Sequence, residues 1–170
     1  GQALRDGLKK KKDVQEFVDQ LRTGEASFDD EESEGRSKSL GASLSYGFDH
    51  AFDKTERKQL ALLHFFQGFV DVDALKWMGN EKEDHCLDAV RGLTREQAIN
   101  LLDRAAEAGL LDAKGGGCYA IHPALPWFFK SLFDQYYSAG ASATQAARAF
   151  VEALGMLGNY YAYQYEEGNR

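Results

Sequence analysis

His122 has more chemistry open to it than any other residue in this chain. It stands where a short strand-like run, Cys118-Tyr119-Ala120-Ile121, leads into Pro123 and a helix start. An imidazole titrates near neutral pH and is a good donor to a phosphate oxygen. The other role open to it is local: the ring caps the following helix and satisfies nearby backbone. Cys118 shares a strand face with His122, and the two can be drawn as nucleophile and base. Nothing in the sequence orients or activates that pair, so covalent catalysis is not expected. His50, His64 and His85 have no second ligand at metal spacing and are expected to be structural or exposed.

The remaining motifs exclude more than they assign. Gly115-Gly116-Gly117 is not a phosphate-binding loop, because no Lys-Ser/Thr follows and no helix begins there. The chain holds no HExxH, and Asp71-Val72-Asp73 has no glycine at the place a calcium loop requires. Gly41-Ala42-Ser43-Leu44-Ser45 lacks the second glycine of a nucleophile elbow. No enzyme activity, metal or resident cofactor is expected of this stretch. Lys9 to Lys12 form a basic run that is either a contact for phosphate or an acidic partner, or a solvated helix face.

The elements that position His122 follow from apolar spacing and capping signals. Leu4, Leu8, Val14, Phe17, Val18 and Leu21 recur at helical intervals, and Gly24 stops that helix. Glu25 to Gly35 carries Asp29, Asp30, Glu31, Glu32 and Glu34 with no basic residue, which reads as an exposed linker. Leu40, Leu44, Phe48 and Ala51 fall on one helical face. Asp53 with Glu56 makes a capping box for a helix over 54–66 that is apolar nearly all round and therefore central. Asp71 caps a short helix with Ala74, Leu75, Trp77 and Met78. Gly79 to Gly92 reads as a polar connection with a short helix around 86–90.

Thr94 with Gln97 caps the next helix, which places Ala98, Leu101, Leu102, Ala105 and Ala106 on one face and stops at Gly109. The period then changes, and two short strands around the triple glycine form a hairpin. Pro123 and Pro126 fit the first turn of a helix whose buried face is Leu125, Phe128, Phe129, Leu132, Phe133, Tyr136 and Tyr137. Ser142 with Gln145 opens a last helix to about Glu167, with Phe150, Leu154, Leu157, Tyr161 and Tyr165 on its apolar side. The fold class is mainly α: a winged helix, the helix-turn-helix variant with a small β-hairpin, flanked by additional helices.

Composition bounds the rest. The chain has 170 residues, 12% of them aromatic, which is enough to build a real core and excludes disorder throughout. Cys86 and Cys118 form no CxxC and no disulfide framework, so a reducing, cytoplasmic setting is expected. No apolar run is long enough to span a bilayer, and no signal-peptide pattern opens the chain. The net charge of −7 disfavours a nonspecific hold on nucleic acid, although Glu25 to Glu34 carries much of it. A start at Gly1 and a stop at Arg170 just after a helix-like stretch suggest a piece of something longer.

Three stretches resemble one family. Ser39-Leu40-Gly41-Ala42-Ser43-Leu44-Ser45-Tyr46-Gly47-Phe48-Asp49 resembles the S-L-x-x-x-L-x-W/Y-S-Y/F-D opening of winged-helix domains in STAND signalling ATPases. That group includes NB-ARC, NACHT, AfsR-like and MalT-like proteins. Leu62 to Val70 is similar to their L-x-x-F-x-G-G-F element, with Gln67 for the first glycine. Leu101-Leu102-Asp103-Arg104, Gly109-Leu110-Leu111 and Tyr119-Ala120-Ile121-His122-Pro123-Ala124-Leu125 resemble their ending. The resemblance covers about a hundred residues. Further on, Leu154, Leu157, Gly158 and Tyr161 match the opening of a tetratricopeptide repeat, with Leu for its Trp.

The resemblance implies an organisation: 1–24 a helix from a preceding helical domain, 25–36 an acidic linker, 37–138 the winged helix, 139–170 the first helix of a repeat region. It also implies a noncatalytic regulatory module that couples nucleotide state to a helical-repeat sensor. Its partners would be an intramolecular nucleotide-binding domain, the helical repeats and other proteins, with no membrane. ADP or ATP would be held by the full-length protein, and His122 would contact the ADP diphosphate and hold the closed state. Pro123 replaces the Asp of the eukaryotic form. Two alternatives are a DNA-binding winged-helix transcription regulator and a helical protein-interaction adaptor. The DNA reading requires cations on the helix Thr94 to Gly109, which offers Arg95 and Arg104 against Glu96, Asp103 and Glu107. The wing adds Lys114 beside Asp112.

Overall fold

The computed structural model describes residues 47–123, 125–137 and 140–168. The expected helix at 3–21, the acidic linker, and Leu40 and Leu44 lie outside the described residues. The chain is mainly helical, with one three-stranded antiparallel sheet. After a helical turn at 47–51 come α1 (Lys54–Ala61), β1 (Phe69–Asp71), α2 (Val72–Trp77), α3 (Arg95–Glu107), β2 (Leu111–Gly115), β3 (Cys118–Ile121), α4 (Pro126–Tyr136) and α5 (Ala141–Glu166).

Both expected capping boxes form. The Asp53 carboxylate accepts the Glu56 N–H at 2.8 Å, and Glu56 accepts the Asp53 N–H at 2.9 Å. Thr94 and Gln97 reciprocate in the same way at the start of α3. Asp71 caps α2 through the N–H groups of Asp73 and Ala74. The helix expected over 54–66 ends earlier. At Leu62–Phe65 it tightens into a 3-10 turn that still buries Leu62 and Leu63. Ala51, expected on the apolar face, is exposed; Phe48 and Phe52 are buried there instead, with rings 5.0 Å apart.

β1 has no counterpart in the sequence reading. It pairs antiparallel with β3 (Phe69 with Ala120, Asp71 with Cys118), and β3 lies between β1 and β2. Three residues between Gly68 and a helix cap are too few to reveal a period of two. The hairpin falls where expected. Gly116 and Gly117 both have positive φ at its tip, the requirement of a tight turn whose twist matches the strands.

One core joins these elements. α1 packs on α4, α2 packs on α3 and α5, and α3 packs on β2. α4 buries Phe128, Phe129, Leu132 and Phe133, with Leu125 and Tyr137 buried at its ends, while Tyr136 stays half-buried. The Tyr137 hydroxyl donates to the Lys58 carbonyl at 3.1 Å and ties the end of α4 to α1. The 79–92 connection is less polar inside than expected, since it buries His85, Cys86, Leu87 and Val90. Its helical part is a 3-10 turn, Asp88–Val90. Gly92 N–H to the Gly79 carbonyl, 3.1 Å, closes this loop.

α5 corrects the sequence reading most. It begins at Ala141 and turns Ala146, Ala149, Ala153 and Leu157 toward the body. Leu154, Tyr161 and Tyr165, expected on the packed side, are exposed. Small residues let α5 approach α2 closely, which a row of tyrosines would prevent. Phe150 stacks on Phe65 with centroids 5.3 Å apart, and Tyr160 meets Trp77 edge-on.

Candidate functional site

β3 ends at Ile121, whose N–H donates to the Gly68 carbonyl at 2.8 Å. That bond fixes the point at which the chain leaves the sheet. His122 follows immediately, and its carbonyl accepts the Leu125 N–H at 2.9 Å in the turn that opens α4. Pro126 occupies the first helical position, where its missing N–H costs nothing. The backbone of His122 is therefore part of the connection, while Leu125 and not His122 stands at the N-cap of α4. The His122 side chain is buried, with 8% of the residue exposed.

The face of α3 was the other place of interest, as a surface for phosphates. Both of its arginines already have partners. Arg95 donates to the Asp73 carboxylate at 3.2 Å and to the Gly116 carbonyl at 3.0 Å, joining α3 to α2 and to the hairpin tip. Arg104 pairs with Glu56, donates to the Ala51 carbonyl at 2.6 Å and lies 5.0 Å over the Phe52 ring. Arg91, just before the helix, is paired with Asp88.

Asp103 accepts the Tyr119 hydroxyl at 2.7 Å, which links α3 to β3. Burial, aided by that bond and by the carboxylate charge, pushes the Tyr119 hydroxyl up to about 12. Arg95, Asp103 and Arg104 are thus spent on the protein's own frame. The sequence reading counted these charges but missed their pairing, because Arg104 and Glu56 are 48 residues apart and no local pattern joins them.

The other histidines sort as expected in outline. His50 is exposed, and His64 is half-buried with its ring 5.0 Å from Phe133. Burial lowers the His64 imidazole from its ordinary value; the Lys130 charge acts in the same direction, and Asp134 opposes it. His85 is buried, and its Nε2 has no hydrogen-bond partner among the described residues. No group of three His, Cys, Asp or Glu side chains among the described residues is placed to hold a metal ion. Two open grooves of about 540 and 590 Å³ flank the start of α3, and neither includes His122. The first is lined by Glu56, Gln59, Arg91 and Asn100, the second by Lys76, Trp77, Lys82 and Arg95.

No family model, no curated protein and no solved structure matches this chain. Among the described residues no helix is long and apolar enough to cross a membrane.

Proposed function

We propose that this chain is a noncatalytic regulatory winged-helix module of a signal-transduction ATPase, acting in the cytoplasm. The order of its elements is α1, β1, α2, α3, β2, β3, with β3 central in the sheet; this supports the winged-helix assignment. In this reading α3 is the recognition-type helix, β2 and β3 are the wing, and α5 begins a helical-repeat sensor. The module docks on an ADP-bound core and holds it closed, and ATP or a sensed ligand shifts the population to the open form. His122 is the residue offered to the diphosphate.

The observation that carries the reading over its DNA-binding alternative is the internal use of Arg95 and Arg104. A groove-reading helix needs cations free for phosphates. Here they lock α3 to α1, α2 and the wing, which suits a helix that keeps a rigid body together. A gel shift on duplex DNA at low salt tests the choice. The regulatory reading predicts no shifted band, and a salt-dependent shift supports the transcription-regulator reading instead.

A further inference from the structure

α5 is held to the body in two places, with two glycines between them. In its first half Ala146, Ala149 and Ala153 are buried, and Phe150 stacks on Phe65 and meets Phe66 edge-on at 4.9 Å. Leu157 is the last buried residue of the helix. Beyond it, Tyr160 and Tyr161 reach opposite ends of α2. The Tyr160 ring meets Trp77, the last residue of α2, with centroids 6.0 Å apart. The Tyr161 hydroxyl donates to Oδ2 of Asp71, the α2 cap, at 3.4 Å. The two tyrosine rings lie 5.6 Å apart, which couples the two contacts. Both tyrosines remain about half exposed, so this second hold is light beside the first. Gly155 and Gly158 lie at the join. A Cβ at either encounters nothing within 4 Å, so no close approach demands glycine there. Each nevertheless weakens the helix by roughly fivefold relative to alanine.

We propose that residues 159–166 form a latch that opens at Gly158 as one unit while the rest of α5 stays on the body. Closed, the latch spans α2 from its cap to its last residue. Open, it is too short to stay helical alone, so it uncoils on release. Opening withdraws Tyr160 from Trp77, which also lines the 590 Å³ groove at the start of α3. It frees Oδ2 of Asp71, while Oδ1 goes on accepting the Asp73 and Ala74 N–H groups, so α2 keeps its cap. The latch thus links the far end of α5 to one wall of that groove without disturbing the core. The inference is independent of the nucleotide reading above.

Amide hydrogen exchange of the whole chain, read as protection factors residue by residue, tests the latch. Protection at 161–166 should be at least about tenfold below that at 146–157 and even along the segment, because all its bonds break in one opening. Simple fraying would instead give a gradient falling toward residue 166. Gly158→Ala should raise protection at 161–166 by about fivefold and leave 146–157 unchanged. Tyr161→Phe should lower it by about threefold, by one common factor across 161–166. Tyr160→Ala should do the same through the loss of its contact with Trp77, by about threefold to tenfold. Four results overturn the proposal: equal protection along the whole of α5, a graded loss toward its end, no protection at all beyond Gly158, or tyrosine variants that change only the amides next to the substitution. Unchanged protection at 146–157 shows in each variant that the fold is intact.

Discussion

Arg104 of α3 donates to both carboxylate oxygens of Glu56, the residue that completes the capping box at the start of α1. One carboxylate therefore caps a helix and clamps a second helix to it. Glu56→Ala should cost about 1–2 kcal/mol, since the cap and the clamp are lost together. Arg104→Ala should cost a similar amount, because it loses the same partly exposed pair together with the bond to the Ala51 carbonyl and the contact over the Phe52 ring. Urea denaturation of the two single variants and the double variant should give a coupling of about 0.5–1 kcal/mol; additive costs would show that the helices are held by packing alone.

Gly79 is a second point of close approach. A Cβ there would sit 1.7 Å from the Val90 carbonyl oxygen, in the loop closed by Gly92. Gly79→Ala should therefore destabilise by more than about 2 kcal/mol. Gly155→Ala is the control, in the open interior of α5, where the same change should stabilise by about 0.5–1 kcal/mol. Equal effects at the two sites, read from thermal melts at low protein concentration, would contradict the packing described for the 79–92 loop.

His64 sets a pH dependence. Burial lowers its folded-state pKa below the ordinary 6.5, so the unfolded chain binds the proton more readily. Stability should fall as pH drops through 6.5 toward the lowered value, and should be fully recovered above 6.5. Substituting His64→Gln should flatten that part of the profile. Melting temperatures from pH 5 to 7.5 check this, and an unchanged slope in the variant would assign the pH dependence to other groups.

Arg95 should behave as a structural residue. Arg95→Ala should loosen the hairpin tip, because both Asp73 and the Gly116 carbonyl lose their donor. Hydrogen exchange at residues 115–118 should quicken while the core amides keep their protection. A variant with native exchange at the tip would show that the wing does not depend on α3.

These cases also show what the sequence discloses. The capping boxes at Asp53–Glu56 and Thr94–Gln97, the glycine-tipped hairpin and the apolar face of α4 depend on neighbours within a few residues, so pattern alone finds them. β1 is invisible because three residues carry no period, and it exists only through its pairing with β3. The side of α5 was misjudged because tyrosines look like core residues while alanines look neutral; close helix approach reverses that order. Arg95 and Arg104 were legible as charges but not as pairs. Their partners lie 22 and 48 residues away, joined only by the tertiary fold. At His122 the position between strand and helix was legible, but not how little of it is exposed.

The nucleotide-sensing role of His122 is the central claim, and ADP release from the full-length protein tests it most directly. Replacing His122→Ala should speed ADP dissociation by roughly tenfold, the loss expected for one charge-assisted hydrogen bond, and should raise basal signalling. A folded variant whose ADP off-rate and basal output match the unmodified protein would contradict that role and leave His122 as part of the β3–α4 connection only.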